Sequence, residues 1–508
     1  MIDYKSKDPV NRYVNDLRRF AYSQGQVLAQ RSQWLFLGIA AFFLALIGLI
    51  VGSYFSLGNQ ETLILISAAV IGGYMALNIG ANDVANNMGP AVGGKVITIT
   101  AAVLIAAVCE SAGALLAGGD VVKTVAKNII NPKDFLTIDE LRYLMLSALL
   151  AAALWINLAT FLNAPVSTTH SIVGGILGAG LIAAGVHVVD WSTMLAIAAS
   201  WVISPALGGL IAATMLLFIK LKILNVGDKI TAAKKWLPIL YAMMAAAFMA
   251  YMSMKGLKKI WKPSFEEILL SALLVFLITW FLSKPFVRNR AANLQNKKND
   301  IYLLFNLPLL LGVSLLCFAH GANDVANAVG PLAAIVSTLK EGAEIGTRVS
   351  IPFWVMLIGA IGIALGLLLF GPKLIRTVGQ KVTRLNAPRA YCVALSSAIT
   401  VLIATSLGLP VSSTHIAIGA IFGVGFLREY MENPNKKKLR PGHKLNNTAE
   451  EAFARVGIRL QRRLVRRRFL YTIVGGWIIT VPAAACLAAA IYFIITNLLS
   501  KVLDSQIV

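Results

Sequence analysis

Long apolar segments constrain the fold of this chain more than any other feature of its sequence. Four of them, Trp34–Phe55, Ile97–Leu116, Leu141–Leu162 and Tyr471–Ile495, approach or exceed the roughly 20 residues that a helix needs to cross a bilayer. Only 14% of the residues are charged, compared with about 25% in a soluble chain. The sequence therefore predicts an all-α polytopic membrane protein.

Hydropathy predicts thirteen transmembrane segments, at 34–54, 61–79, 97–117, 141–163, 165–188, 193–220, 236–254, 266–284, 301–320, 353–372, 390–408, 410–427 and 469–497. Together with the charge distribution, these segments divide the chain into seven regions. The regions are a cytoplasmic arm (1–33), an extra N-terminal helix (34–60), a first repeat (61–220), a two-helix connector with basic loops (221–300), a second repeat (301–427), a basic cytoplasmic loop (428–468), and the last helix of the second repeat with the C-terminus (469–508).

Positive charge predicts the orientation of the chain in the membrane. The net charge of +23 is concentrated between the apolar segments, and no aromatic-basic surface accompanies it, so nucleic acid is not an expected partner. Lys and Arg favour cytoplasmic loops, and a cytoplasmic N-terminus places most basic segments inside. Lys255, Lys258, Lys259 and Lys262 oppose this orientation, because they fall on an external loop. We expect an integral protein of the bacterial inner membrane.

Two motifs occur twice in the chain. Gly80–Pro90 reads GANDVANNMGP and Gly321–Pro331 reads GANDVANAVGP, while Pro165–His170 reads PVSTTH and Pro410–His415 reads PVSSTH. On the predicted spans, the two copies of each motif lie on helices of opposite direction. Two like halves in opposite orientation are typical of secondary transporters, whose site lies where the repeats meet. The expected fold therefore has two inverted-topology repeats with broken or re-entrant helices and about 12–13 transmembrane segments.

The GANDVAN motif concentrates polar groups at membrane depth. Its Gly and Pro residues are expected to interrupt the helix and to free backbone groups. A buried Asp costs several kcal/mol if it is left unpaired. Capping of a helix break is the simpler explanation, but the duplication favours a functional site. We expect cation binding and coupling by Asn82, Asp83, Asn86, Asn323, Asp324 and Asn327, with both aspartates also contacting the substrate.

The PVS(S/T)TH motif supplies consecutive hydroxyl groups at a predicted helix start. Free N–H groups at a helix N-terminus bind anions, and hydroxyls add neutral donors. Ser/Thr capping is again the alternative, whereas His170 and His415 are expected to pack rather than bind. The candidate anion-binding residues are Ser167, Thr168, Thr169, Ser412, Ser413 and Thr414.

The two residue sets suit two different ligands. Hydroxyl and N–H donors suit phosphate, whose P–OH group can donate to a carboxylate, and carboxylate and amide oxygens suit a hard cation. An anion beside two aspartates needs a bound cation or a change in protonation, so the sequence predicts coupling. Gly89–Lys95 matches a P-loop spacing, but Val96 replaces its Ser or Thr. No enzymatic motif or cofactor site is predicted.

At these motifs the chain resembles the PiT family of inorganic phosphate transporters, from about residue 61 to residue 497. The resemblance implies import of phosphate by symport with Na⁺ or H⁺, an inverted-repeat fold and often a homodimer. The second motif copy, His320–Ala334, is more similar to the Na⁺-coupled members. Glu110 matches an acidic family position with an expected role in coupling, and its expected counterpart is Ala394. Sulfate permeases share the superfamily, so sulfate stays an alternative, followed by an anion channel or a membrane enzyme.

Overall fold

The computed structural model describes residues 33–55, 59–133, 135–162, 166–256, 261–339, 351–381, 385–432 and 467–504. Over these ranges the chain is helical, and its one β-bridge joins Ile130 to Val189. The cytoplasmic arm and most of the basic loop 428–468 lie outside the described residues, as does Pro165. The expected confinement of both segments to the cytoplasm therefore stays a prediction.

Fifteen helices are numbered in chain order among the described residues: α1 Gln33–Tyr54, α2 Asn59–Gly93, α3 Ile99–Ala117, α4 Gly119–Lys123, α5 Ile138–Phe161, α6 Thr168–Ala184, α7 Trp191–Ile219, α8 Lys229–Tyr251, α9 Phe265–Arg290, α10 Lys298–Leu303, α11 Asn306–Ser337, α12 Phe353–Lys381, α13 Ala387–Ser406, α14 Ser413–Glu432 and α15 Arg467–Asp504. The two GANDVAN motifs lie on α2 and α11, the two PVS(S/T)TH motifs lie at the starts of α6 and α14, and the helices α5 and α13 come directly before those starts.

Eleven helices within the described ranges are long and apolar enough to cross a membrane. This confirms the prediction of a polytopic membrane protein. Two of the thirteen predicted spans, 165–188 and 410–427, correspond to α6 and α14, whose first turns are buried.

The helix breaks lie in a different motif from the one expected. Helices α2 and α11 run without interruption through Gly80–Pro90 and Gly321–Pro331, so the prediction that a helix ends at GANDVAN is wrong. Proline removes one hydrogen bond, which the carbonyl four residues earlier would have accepted, and the long apolar helix continues past that loss. The chain instead leaves the helical conformation before α6 and before α14, at the two PVS(S/T)TH motifs.

The closest helix contacts join the two halves of the chain. Helix α2 packs along α12, and α11 packs along α3. A Cβ added at Gly80 would overlap the backbone of Ile363, and one added at Gly321 would overlap the backbone of Glu110. Glycine is therefore required at both positions for the helix backbones to meet.

This packing also corrects the expected counterpart of Glu110. Gly80 and Gly321 occupy the same motif position, so their partners Ile363 and Glu110 are equivalent. Ala394 lies on α13, which corresponds to α5 rather than to α3. The sequence prediction paired residues on non-equivalent helices, because motif spacing alone does not show which helix of one half corresponds to which helix of the other.

Candidate functional site

Two aspartates are buried in the interior of the protein. Asp83 on α2 and Asp324 on α11 are each only 1% exposed. The hydroxyl of Thr168, the first residue of α6, lies 3.3 Å from Asp83 Oδ2 and 3.5 Å from Asp324 Oδ2. One hydroxyl thus lies within hydrogen-bonding reach of both carboxylates, and the duplicated motifs form a single site.

The N-terminus of α14 contributes two more hydroxyls. Ser413 Oγ donates to Asp324 Oδ2 over 3.2 Å, and Thr414 Oγ1 donates to Asp83 Oδ1 over 2.9 Å. Both helices that restart after a PVS(S/T)TH segment therefore place hydroxyls directly on the carboxylates.

The other three predicted hydroxyls have different partners. Ser167 Oγ accepts from the backbone N–H of His170 over 3.1 Å, and Ser412 Oγ accepts from His415 N–H over 3.3 Å. These are helix N-caps, as the simpler interpretation of the motif proposed. Thr169 donates to the carbonyl of Val411 over 3.0 Å.

The second asparagine of each motif connects to these hydroxyls. Asn86 Nδ2 donates to Thr414 Oγ1 over 2.8 Å and lies 3.4 Å from Asp83 Oδ1. Asn327 Nδ2 donates to Thr169 Oγ1 over 3.1 Å and lies 3.4 Å from Thr168 Oγ1. Each asparagine reaches the hydroxyls of the opposite half.

The first asparagine of each motif braces an extended segment. Asn82 Nδ2 donates to the carbonyl of Val166 over 3.2 Å and to Asp83 Oδ1 over 3.1 Å. Asn323 donates to the carbonyl of Leu409 over 3.1 Å and accepts from Val411 N–H over 3.1 Å. Because these backbone groups lie outside the helices, the asparagines satisfy them and fix where α6 and α14 begin.

His320 is a site residue that the sequence analysis missed. Its Nε2 lies 3.0 Å from Asp324 Oδ2 and 3.7 Å from Asp83 Oδ2, and its Nδ1 lies 3.0 Å from Glu110 Oε2. His320 precedes Asp324 by four residues, a spacing that places both on one face of a helix. That spacing was visible in the sequence and could have identified it.

Glu110 has a second partner from α2. Asn87 Nδ2 donates to Glu110 Oε1 over 2.9 Å, and both side chains are at most 1% exposed. Asn87 follows Asp83 by four residues, so the same helical spacing indicates it. The structure thus brings Glu110 next to the aspartates through His320.

His170 and His415 pack against each other beside the site. Their ring centroids are 4.5 Å apart, and His170 also lies 3.8 Å from the ring of Trp201. Both rings therefore pack as expected, and the expectation that neither histidine binds a ligand stays a prediction.

The arrangement offers ligands to both a cation and an anion. Single oxygen or nitrogen atoms of Asp83, Asp324 and His320 lie within 4.8 Å of one another. The prolines at positions 90 and 331 lack an N–H, so the backbone carbonyls of Asn86 and Asn327 lose their helical donors. Carboxylate and carbonyl oxygens bind hard cations, whereas the neighbouring hydroxyls can donate to an oxyanion.

Comparison with known proteins finds a matching family profile and several relatives. A profile of the phosphate transporter family matches residues 79–488, most of the chain. This chain belongs to the phosphate transporter family. A Helicobacter pylori strain J99 protein whose name proposes a phosphate permease is 50% identical over 406 residues, which cover 79% of this chain and 76% of that protein.

Two further relatives extend the comparison within the phosphate transporter family. The chloroplastic inorganic phosphate transporter 2-1 of Arabidopsis thaliana is 34% identical over 476 residues, covering 88% of this chain and 75% of the plant protein. A solved structure described as the sodium-dependent phosphate transporter shares 37% identity and superposes with a TM-score of 0.74, covering 86% of this chain and 99% of its own. The fold is that of a polytopic membrane transporter.

Proposed function

We propose that this chain is a secondary active transporter that imports inorganic phosphate by symport with a cation, Na⁺ in preference to H⁺. The observation that carries the proposal is the pair Asp83 and Asp324, both buried and both within reach of the Thr168 hydroxyl. Two buried carboxylates beside a set of hydroxyl donors require positive charge whenever an anion is bound.

The anion site is assigned to the hydroxyls that touch the aspartates. Thr168, Ser413 and Thr414 can turn their O–H groups from carboxylate to phosphate oxygens. The P–OH group of phosphate can donate to a carboxylate, whereas sulfate has no such proton at neutral pH. Ser167, Ser412 and Thr169 support this set by fixing the helix starts.

The cation sites are assigned to oxygen atoms close to the aspartates. Asp83, Asp324, the backbone carbonyls of Asn86 and Asn327, and Glu110 supply the oxygen ligands that alkali cations take. The name of the solved relative states sodium dependence for that protein, which supports Na⁺ here. Asn82 and Asn323 act in this proposal as braces that hold the site together.

An inverted arrangement of the two repeats is part of the same proposal. Arg142 binds Glu61, in the first turn of α2, over 3.0 Å. The same guanidinium binds the carbonyl of Thr338, immediately after α11, over 2.9 Å. The beginning of one GANDVAN helix therefore meets the end of the other, as expected if they cross the membrane in opposite directions.

Orientation and assembly follow from the sequence and remain proposals. A cytoplasmic N-terminus in a bacterial inner membrane places Lys255 on the outside. Lys255 Nζ lies 2.6 Å from Asp120 Oδ2, and this pairing removes part of its conflict with the positive-inside rule. The family resemblance is the ground for proposing a homodimer.

Uptake into proteoliposomes tests the function. Radiolabelled phosphate should accumulate above its external concentration when an inward Na⁺ gradient is imposed at equal pH, and less when only a pH gradient is imposed. Accumulation of sulfate would assign the protein to the permease alternative. Equilibration without accumulation would indicate a channel, and release of phosphate from phosphorylated lipid would indicate an enzyme.

A further inference from the structure

The repeat makes it possible to compare each residue of the site with its equivalent in the other half. The motif positions differ by 241 residues (321 − 80), and the packed residues Glu110 and Ile363 differ by 253 (363 − 110). A second glycine pair has the same register: Gly113 packs on the backbone of Phe318, and Gly366 on that of Leu77. A residue on α2 is therefore equivalent to the residue 241 positions later on α11, and a residue on α3 to the residue 253 positions later on α12.

One polar cluster has no polar counterpart at the repeat-related positions. Asn87, Glu110 and His320 form a continuous buried chain of contacts next to the aspartates. Each has an apolar equivalent that is fully buried in the other half: Ala328 for Asn87, Ile363 for Glu110 and Ile79 for His320. The two sides of the site are thus alike at Asp83 and Asp324 but chemically different beyond them.

The cluster adds negative charge that the protein does not balance. Three carboxylates, of Asp83, Asp324 and Glu110, lie around His320, whose imidazole carries at most one positive charge. Arg142 is the only buried Lys or Arg among the described side chains, and it binds Thr338, Asp139 and Glu61 instead. Buried carboxylates without counter-charge are strongly unfavourable, so the ionised cluster needs positive charge from outside the protein, and bound cations can supply it.

An amide oxygen beside Glu110 indicates where one such cation binds. Asn87 uses its Nδ2 on Glu110 Oε1, and its Oδ1 is buried without a hydrogen-bond donor. A buried acceptor without a donor is unfavourable. An amide oxygen next to a carboxylate is the combination that a hard cation such as Na⁺ prefers.

We infer that Glu110 and Asn87 form a cation subsite that is present in only one half of the repeat and is separate from the one at Asp83 and Asp324. The inference rests on the proposed symport and specifies it further, because the coupled cations are then not equivalent. His320 lies between the two subsites and connects the Glu110 carboxylate to Asp324.

Equilibrium phosphate binding to the purified full-length protein tests the inference without requiring transport. Phosphate affinity is measured at constant pH and ionic strength while Na⁺ replaces a large organic cation. The slope of log affinity against log Na⁺ concentration counts the cations taken up with phosphate. Glu110→Gln should lower this slope by about one, whereas Ile363→Leu, at the equivalent position, should leave it unchanged.

The other outcomes are distinguishable. Glu110→Gln could instead keep the wild-type slope while its phosphate affinity falls by the same factor at every Na⁺ concentration. That result would show that Glu110 only positions His320 and would overturn the inference. A wild-type affinity that does not depend on Na⁺ would overturn sodium coupling itself, and the inference with it.

A second variant covers the case in which Glu110→Gln does not fold. Asn87→Ala installs the residue of the other half and keeps the carboxylate. It should raise the Na⁺ concentration needed for half-maximal phosphate binding several-fold, while phosphate affinity at saturating Na⁺ stays near that of the wild type. An unchanged Na⁺ requirement in Asn87→Ala would also overturn the inference.

Discussion

Thr414, from the second half of the chain, donates a 2.9 Å hydrogen bond to Asp83 in the first half. The two residues are 331 positions apart in sequence. Each half therefore supplies hydroxyls to a carboxylate of the other, and the site depends on both repeats being in place.

Replacing either aspartate by asparagine tests the coupling mechanism. Asp83→Asn and Asp324→Asn keep the size of the side chain but remove a buried charge, so cation-driven phosphate uptake should be abolished in both. The readout is gradient-driven uptake in proteoliposomes, with elution from a sizing column in detergent as the check on folding. Two well-folded variants that still concentrate phosphate with wild-type cation dependence would remove these residues from coupling.

The hydroxyls at the helix starts should separate into binding and capping groups. Thr168→Val and Ser413→Ala each remove a donor from a desolvated anion, which costs about 1–3 kcal/mol, or about 5- to 150-fold in phosphate Kd. Ser412→Ala is the matched control, because Ser412 caps α14. It should lower thermal stability, by about 1 kcal/mol, with little effect on Kd. Equal effects of Ser412→Ala and Ser413→Ala on Kd would contradict this division.

Anion selectivity should reflect the donor and acceptor pattern of the site. Phosphate and arsenate carry a proton that can be donated to Asp83 or Asp324, so arsenate should compete with phosphate for uptake. Sulfate presents bare oxygens to the same carboxylates and should compete poorly. Inhibition of labelled phosphate uptake by each unlabelled anion at equal concentration measures this, and efficient competition by sulfate would contradict it.

The glycines between the halves should tolerate no side chain. Gly80→Ala and Gly321→Ala place a methyl group against helix backbone, which cannot move aside as a side chain can. We therefore expect the free energy of unfolding to fall by at least about 1–3 kcal/mol and little protein to fold. Gly89→Ala is the control on the same helix, since its added Cβ meets no atom within 4 Å. Thermal unfolding in detergent should show a wild-type midpoint for Gly89→Ala. A similar midpoint for Gly80→Ala would refute the close packing of α2 and α12.

Arg142 should contribute measurably to stability. Its side chain is 6% exposed and it binds two acidic groups as well as the end of α11. Because Glu61 and Asp139 are themselves 42% and 58% exposed, solvent screens much of their attraction to Arg142. Arg142→Met should therefore lower the free energy of unfolding by about 1–3 kcal/mol, chiefly through the lost hydrogen bond to the Thr338 carbonyl. Lys123→Met, which breaks the exposed 3.7 Å contact to Asp120, should change the midpoint little.

The sequence predicted the membrane class and the motifs of the site, but not the geometry that joins them. Hydropathy is sufficient for the first, because only long apolar helices satisfy their backbone groups in lipid. Duplication indicated Asp83 and Asp324 as candidate site residues without an alignment. Duplication could not reveal that Ser167 caps α6 whereas Thr168 reaches the carboxylates. The two hydroxyls are adjacent in sequence, and only the backbone geometry at the start of α6 points them in different directions.

The location of the helix breaks could not be read from residue types alone. Both motifs contain proline, yet only the PVS(S/T)TH segments leave the helix. Pro90 and Pro331 each lie inside a long helix that packs against several neighbours. Tertiary packing therefore outweighed the local preference of proline for helix ends. Ala394 was misassigned for a related reason, because equivalence between repeats follows helix contacts rather than distance along the chain.

The glycine contact between α2 and α12 also determines when this protein can fold. Gly80 and Ile363 are 283 residues apart (363 − 80). A ribosome that adds about 5–20 residues per second needs on the order of 10–60 s to make that stretch. During this interval the first GANDVAN helix is already in the bilayer while its packing partner does not yet exist. The first repeat must therefore stay in the membrane without the helices that pack against it, and Asp83 without the Thr414 hydroxyl, until the second repeat has been made and inserted.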